Sequence, residues 1–105
     1  CAVGRTEAAA RRAGLPVRTV EYDLGAVSGA ALLGEGYRGW AKAVVDPGRR
    51  VLLGATFVGP GVAELLHSAT IAVTAQVPLE RLWHAVPSFP TVSEVWLRLL
   101  EEYGL

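Results

Sequence analysis

The chain has 105 residues, enough for one domain with one modest core. Hydrophobic residues make up 51% and charged residues 19%, a balance that argues against a disordered chain. Ten basic residues balance ten acidic ones, and a formal net charge of zero argues against nucleic acid or an anionic membrane as a partner, since both want a cationic surface.

The opening CAVG reads as the end of a β-strand. With no methionine in the chain and no signal peptide, the natural N-terminus is expected upstream, so that residues 1–105 form one domain cut from a larger protein. The single cysteine, Cys1, has no partner for an internal disulfide and reads as an ordinary apolar strand residue. RTEAAARRAGLP follows. Thr6 is an N-cap, Glu7 suits the positive end of the helix dipole, Arg11 and Arg12 suit the negative end, Gly14 takes C′ and Pro16 stops the helix. VRTVEYDL alternates Val20, Tyr22 and Leu24 with Thr19, Glu21 and Asp23, the period of a half-buried strand. GAVSGAALLGEG is glycine-rich and fits either a short strand extension or a loop.

GWAKAVVD, PGRR and VLLGATFVG then predict a hairpin, because Pro47-Gly48 after Asp46 is strong turn chemistry. The second strand is apolar on both faces and is expected at the centre of a sheet. GPG at 59–61 ends it and starts an apolar helix over 62–76 of about four turns, destined for a core or an interface. The best bilayer-spanning candidate lies here, VAELLHSATIAVTAQV, and Glu64 and His67 interrupt it. VPLERLWHAV predicts a short helix with Pro78 at N1. TVSEVWLRLLEEYG predicts the last helix, with Thr91 as N-cap and Glu94 at N3 forming a capping box. The order predicts an α+β fold, a mostly antiparallel sheet with helices packed on its faces.

Motifs for catalysis are sparse. There is no CxxC, HExxH, P-loop or GxSxG, and no metal-ligand pattern around His67. The GPG turn before a helix reads as a turn and helix start rather than an anion site. His84 and Glu94 flank a proline-rich turn and raise the question of an acid–base pair. Such a pair needs the turn at Pro87–Pro90 to fold back to hydrogen-bond length, and each residue already has a structural role, His84 at a helix end and Glu94 in the capping box.

Two longer stretches carry a resemblance. GATFVGPGVAELLHSATIAV followed by PSFPTVSEVWLRLLEEYG resembles the C-terminal dimerisation domain of the FAD-dependent pyridine nucleotide–disulfide oxidoreductases, a group with dihydrolipoamide dehydrogenase, glutathione reductase, mercuric reductase and soluble transhydrogenase. VGRTEAAARRAG resembles the family's VGxTExxAxxxG. The resemblance implies a cytoplasmic homodimeric parent with FAD and NAD(P) domains upstream, and a fragment that by itself holds no cofactor or metal and is not catalytic. It also implies that this domain builds the dimer interface, for which Leu65, Ala69, Trp96, Leu97 and Leu100 are the expected contributors. Many members carry a His-Pro-Thr-x-Ser-Glu signature, whose His is the acid–base of the thiol/disulfide step and whose Glu orients it. Here the segment is FPTVSE, so Phe89 occupies the His position while Pro90, Thr91, Ser93 and Glu94 match. Phenylalanine neither donates nor accepts a proton. The family's backbone contact to the partner's flavin does not depend on that side chain, so Phe89 and Pro90 remain the expected cofactor-facing residues. Two other readings stand beside this one: a small standalone enzyme using His84 and Glu94, and a non-catalytic interaction domain.

Overall fold

The computed structural model describes residues 1–30 and 34–105. Four strands, β1 (Ala2–Gly4), β2 (Arg18–Asp23), β3 (Trp40–Asp46) and β4 (Val51–Val58), form one sheet in the order β1-β4-β3-β2. Every neighbouring pair is antiparallel. Helices among the described residues include α1 (Glu7–Arg12), α2 (Ala63–Thr74), α3 (Leu79–Leu82) and α4 (Val95–Tyr103). This is the α+β architecture the sequence predicts. The Gly-rich segment begins in a 3-10 turn at Leu24–Ala26, and residues 31–33 within it lie outside the described residues.

Local chemistry explains most boundaries. The Thr6 hydroxyl accepts from Ala9 N at 3.0 Å to start α1, and Gly14, at φ +75°, follows its end. In the β3–β4 turn, Asp46 Oδ1 accepts from Gly48 N at 2.9 Å and Arg49 N at 3.1 Å. The carboxylate thus satisfies turn amides that the ladder cannot reach. Pro78 precedes α3 as its N-cap rather than occupying N1, one residue earlier than expected.

The main core lies between one face of the sheet and α2, α3 and α4. Phe57, Leu24, Leu79, Leu99, Val45 and Val95 are its largest fully buried side chains. β4 sits between β1 and β3, the central place its continuous apolar run predicts, and is buried over most of its length, with Val58 at its end 60% exposed. On the other face α1 covers one end of the sheet, where Lys42 Nζ donates to Glu7 Oε1 at 2.8 Å and Ala10 is fully buried. The C-terminal helix is fastened to β2 by Tyr103, whose ring lies 4.1 Å from the Arg18 guanidinium carbon.

Packing corrects part of the expected dimer surface. Leu65, Ala69 and Leu100 are 4%, 0% and 4% exposed, so the core of their own protomer already uses them. Their stripes face the sheet, and a buried side chain has no area left to lose to a partner. Trp96 and Leu97 keep intermediate exposure. The outer face of α2 is open instead, with Ile71 at 53%.

Candidate functional site

The segment joining α3 to α4 forms a projecting turn. His84 N and Ala85 N donate to Arg81 O and Leu82 O, each at 3.0 Å, and close the short helix. The chain then runs through Pro87 and a cis Phe89–Pro90 bond. Thr91 Oγ1 donates to Ser88 O, tying the turn across its base. A 3-10 turn, Val92–Glu94, leads into α4.

The capping box expected at Thr91 and Glu94 does not form. Thr91 Oγ1 is committed to Ser88, and the Thr91 side chain makes no cap bond. The 3-10 turn delays the α-helix to Val95, so Glu94 sits just outside it instead of at N3. Glu94 finds another partner. Its Oε2 lies 3.3 Å from Arg98 Nε, one helical turn on, and its side chain is 14% exposed. The pair lacks hydrogen-bond alignment: Arg98 Nε and Glu94 Oε1 are both buried without a hydrogen-bond partner. We therefore read Coulomb attraction there rather than a hydrogen bond. Arg98 also donates from Nη1 to Glu101 Oε1.

His84 is exposed, and no hydrogen bond or ion pair joins it to Glu94 among the described residues. The two residues that flank the turn in sequence therefore do not form the acid–base pair considered above. Among the described residues no cluster of His, Cys, Asp and Glu could hold a metal ion. No helix among them is long and apolar enough to cross a membrane.

A residue without chemistry of its own holds the turn in place. A Cβ on Gly29 would meet Thr91 C at 2.1 Å and Val92 N at 2.4 Å. The backbone of the 27–30 loop therefore presses directly on the base of the turn, with Val27 and Ala30 buried on either side at 3% and 2%. Sequence reasoning missed Gly29 because its partner is some sixty residues away. The Glu94–Arg98 pair was legible, as an i, i+4 acid-to-base spacing in a helical segment.

At the tip, Phe89 and Val86 are each 76% exposed. Two grooves flank them. One of about 360 Å³ runs toward α2 and is lined by Ser68, Leu82, Pro87, Ser93 and Trp96. The other, of about 400 Å³, contains Ser28, Phe89, Glu94, Leu97 and Arg98. The Trp96 indole packs edge-on to Phe57 at 5.7 Å between centroids, and this contact ties the first groove to the core. On α3, a backbone hydrogen bond and the Arg50 guanidinium hold the Glu80 carboxyl below its ordinary range. Lys42 and Arg11 hydrogen bonds hold the Glu7 carboxyl below its ordinary range, and burial pushes the Tyr37 phenol up.

The fold is thus an antiparallel sheet with helices on both faces and one turn whose tip, Val86 and Phe89, is exposed and apolar. The chain belongs to the pyridine nucleotide-disulphide oxidoreductase dimerisation-domain family, whose model matches residues 1–100. It is 36% identical over 103 residues to a dihydrolipoyl dehydrogenase of Rhizobium etli, covering 97% of this chain and 21% of that protein. A dihydrolipoyl dehydrogenase of Thermus scotoductus is 38% identical over 92 residues, which is 88% of this chain and 20% of the relative. Among solved structures, the HOCl-induced flavoprotein disulfide reductase RclA of Escherichia coli superposes with a TM-score of 0.86 at 27% identity, over 95% of this chain and 23% of that one. The chain thus spans about a fifth of the length of the curated relatives it matches.

Proposed function

We propose that this domain dimerises a flavoprotein oxidoreductase that uses FAD and NAD(P), and that its 86–91 turn closes the flavin site of the other subunit. The parent in this reading is a cytoplasmic homodimer with its FAD and NAD(P) domains on the same polypeptide. The observation that carries the proposal is the tip itself. Phe89 is 76% exposed on a turn whose base is wedged against Gly29. With Val86 equally exposed beside it, the aromatic ring forms an apolar tip of the kind that interfaces bury as an anchor. Ile71, Val86 and Phe89, with Trp96 and Leu97 behind them, take over the interface role first expected of Leu65, Ala69 and Leu100.

Phe89 and Pro90 would approach the cofactor through their backbone. Phe89 brings no proton shuttle, and Glu94 faces Arg98. The electron acceptor is then one that does not need a histidine acid–base from this turn, which sets aside ordinary dithiol turnover.

The experiment uses the longer natural polypeptide. Light scattering and flavin absorbance should give a flavin-bearing homodimer. Flavin fluorescence should rise on dilution into monomers, and Phe89→Asp should give the same rise without dilution. A monomeric or flavin-free polypeptide, or a flavin signal indifferent to both changes, overturns the reading. No observation favours the standalone His84/Glu94 enzyme, since His84 is exposed and Glu94 is turned to Arg98.

A further inference from the structure

Among the described residues, the outer face of the sheet is covered at one end only. On this face β3 places Val44, Lys42 and Trp40 in succession, because alternate strand residues share a face. Exposure rises along the row: Val44 is 4% exposed, Lys42 is half-buried and Trp40 is 46% exposed. Opposite Trp40 on β4 stands Val58, which is 60% exposed. α1 covers the Val44 end through Glu7 and Lys42 and leaves the Trp40–Val58 end bare. Trp40 does not lie free on that surface. Its Nε1 donates to Glu21 Oε1 at 2.8 Å, which ties the ring to β2. A cross-strand aromatic–valine pair with its one polar atom satisfied presents a ready apolar surface.

The direction of β1 says what reaches this surface. β1 runs antiparallel to β4, with Ala2 opposite Thr56 and Gly4 opposite Gly54. Cys1 O accepts from Phe57 N at 2.9 Å, so Cys1 stands opposite Phe57. A residue before Cys1 that continues the ladder falls opposite Val58 and on the same face. The chain after β1 turns into α1 and covers one end, and a ladder continued before Cys1 would run to the other end.

We propose that the Trp40–Val58 surface is the docking site for the polypeptide immediately preceding Cys1, which joins this domain to the rest of its own chain. This surface lies on the sheet face opposite the main core, apart from the 86–91 turn, so one domain carries two contacts, one to its own chain and one to the second subunit. The proposal rests on the reading of this chain as one part of a longer polypeptide. It does not depend on the flavin or on dimerisation.

The test uses that longer polypeptide, with Val58 replaced by the photo-crosslinker p-benzoylphenylalanine and Trp40 followed by hydroxyl-radical footprinting. Trp40 should oxidise at less than about a tenth of the rate in the urea-unfolded chain, as a core residue does, against roughly half if it stays as open as in this domain. Irradiation should give a product of monomer mass, linked to a peptide that precedes Cys1. Oxidation at about half the unfolded rate overturns the proposal. So does a crosslink of dimer mass, which would assign the surface to a second copy, or a crosslink confined to residues 1–105. Because neither readout uses the cofactor, a flavin-free polypeptide that still protects Trp40 would fail the proposed function and uphold this inference.

Discussion

Replacing Gly29 by alanine tests the wedge that holds the turn. The added Cβ would meet Thr91 C at 2.1 Å, Val92 N at 2.4 Å and Thr91 Cα at 2.5 Å, all of them backbone. Carbon atoms rest at roughly 3.5–4.0 Å, so one segment must move by more than about 1 Å. Neither can yield by rotating a side chain, because Val27, Ala30 and Val95 are buried around the contact. Overpacking of this kind costs about 1–3 kcal/mol. Against it stands a gain of about 0.4–1 kcal/mol from the stiffer unfolded chain, available because Gly29 is not in the left-handed region. The two ranges leave a net loss centred near about 1.3 kcal/mol and reaching at most about 2.6 kcal/mol, and each kcal/mol lowers Tm by about 4–8 °C for a domain of this size. Urea unfolding followed by circular dichroism measures it, with exposed Ser28→Ala as the control expected to stay within about 0.5 kcal/mol of the parent. If Gly29→Ala unfolds at the parent's midpoint, the 27–30 loop does not brace the turn and the reasoning fails.

Leu65→Ala should cost about 2–5 kcal/mol, and independently of protein concentration, because Leu65 packs the protomer's own core; a loss that vanishes on dilution would return Leu65 to the interface. Sedimentation equilibrium of Ile71→Arg should show weakened self-association at unchanged far-UV circular dichroism, because Ile71 is 53% exposed on α2. Arg98→Ala strips the mostly buried Glu94 carboxylate of its counter-charge and should destabilise by about 1–3 kcal/mol, and adding Glu94→Gln should recover part of that loss in a double-mutant cycle. The Glu7 carboxyl is held below its ordinary 4.5 by hydrogen bonds from Lys42 and Arg11, so its contribution is in place above pH 4.5 and fades as pH falls through the lowered value. Glu7→Gln should therefore flatten the stability profile on that acid limb and nowhere else, as thermal melts from pH 3 to pH 7 would show; an unchanged limb would refute the assignment.

Most local elements, and the family, could be read from residues close together in the chain. Alternation in VRTVEYDL, the Asp46-Pro47-Gly48 turn and the Thr6 cap are decided by residues within a few positions of one another, and all three appear where the pattern places them. The departure at Phe89 was equally plain, because a motif is a linear object. Tertiary structure alone decided which apolar residues are spent. Helix α2 is apolar nearly all round, and nothing in its periodicity says that Leu65 and Ala69 face the sheet while Ile71 faces outward. The expected capping box also failed at this level, because a 3-10 turn intervened and the Thr91 hydroxyl went to Ser88. Gly29 against Thr91, and Trp40 beside Val58 at the bare end of the sheet, belong to the same class. Burial and close approach are properties of pairs of segments far apart in the chain, and a sequence states the segments without stating the pairs.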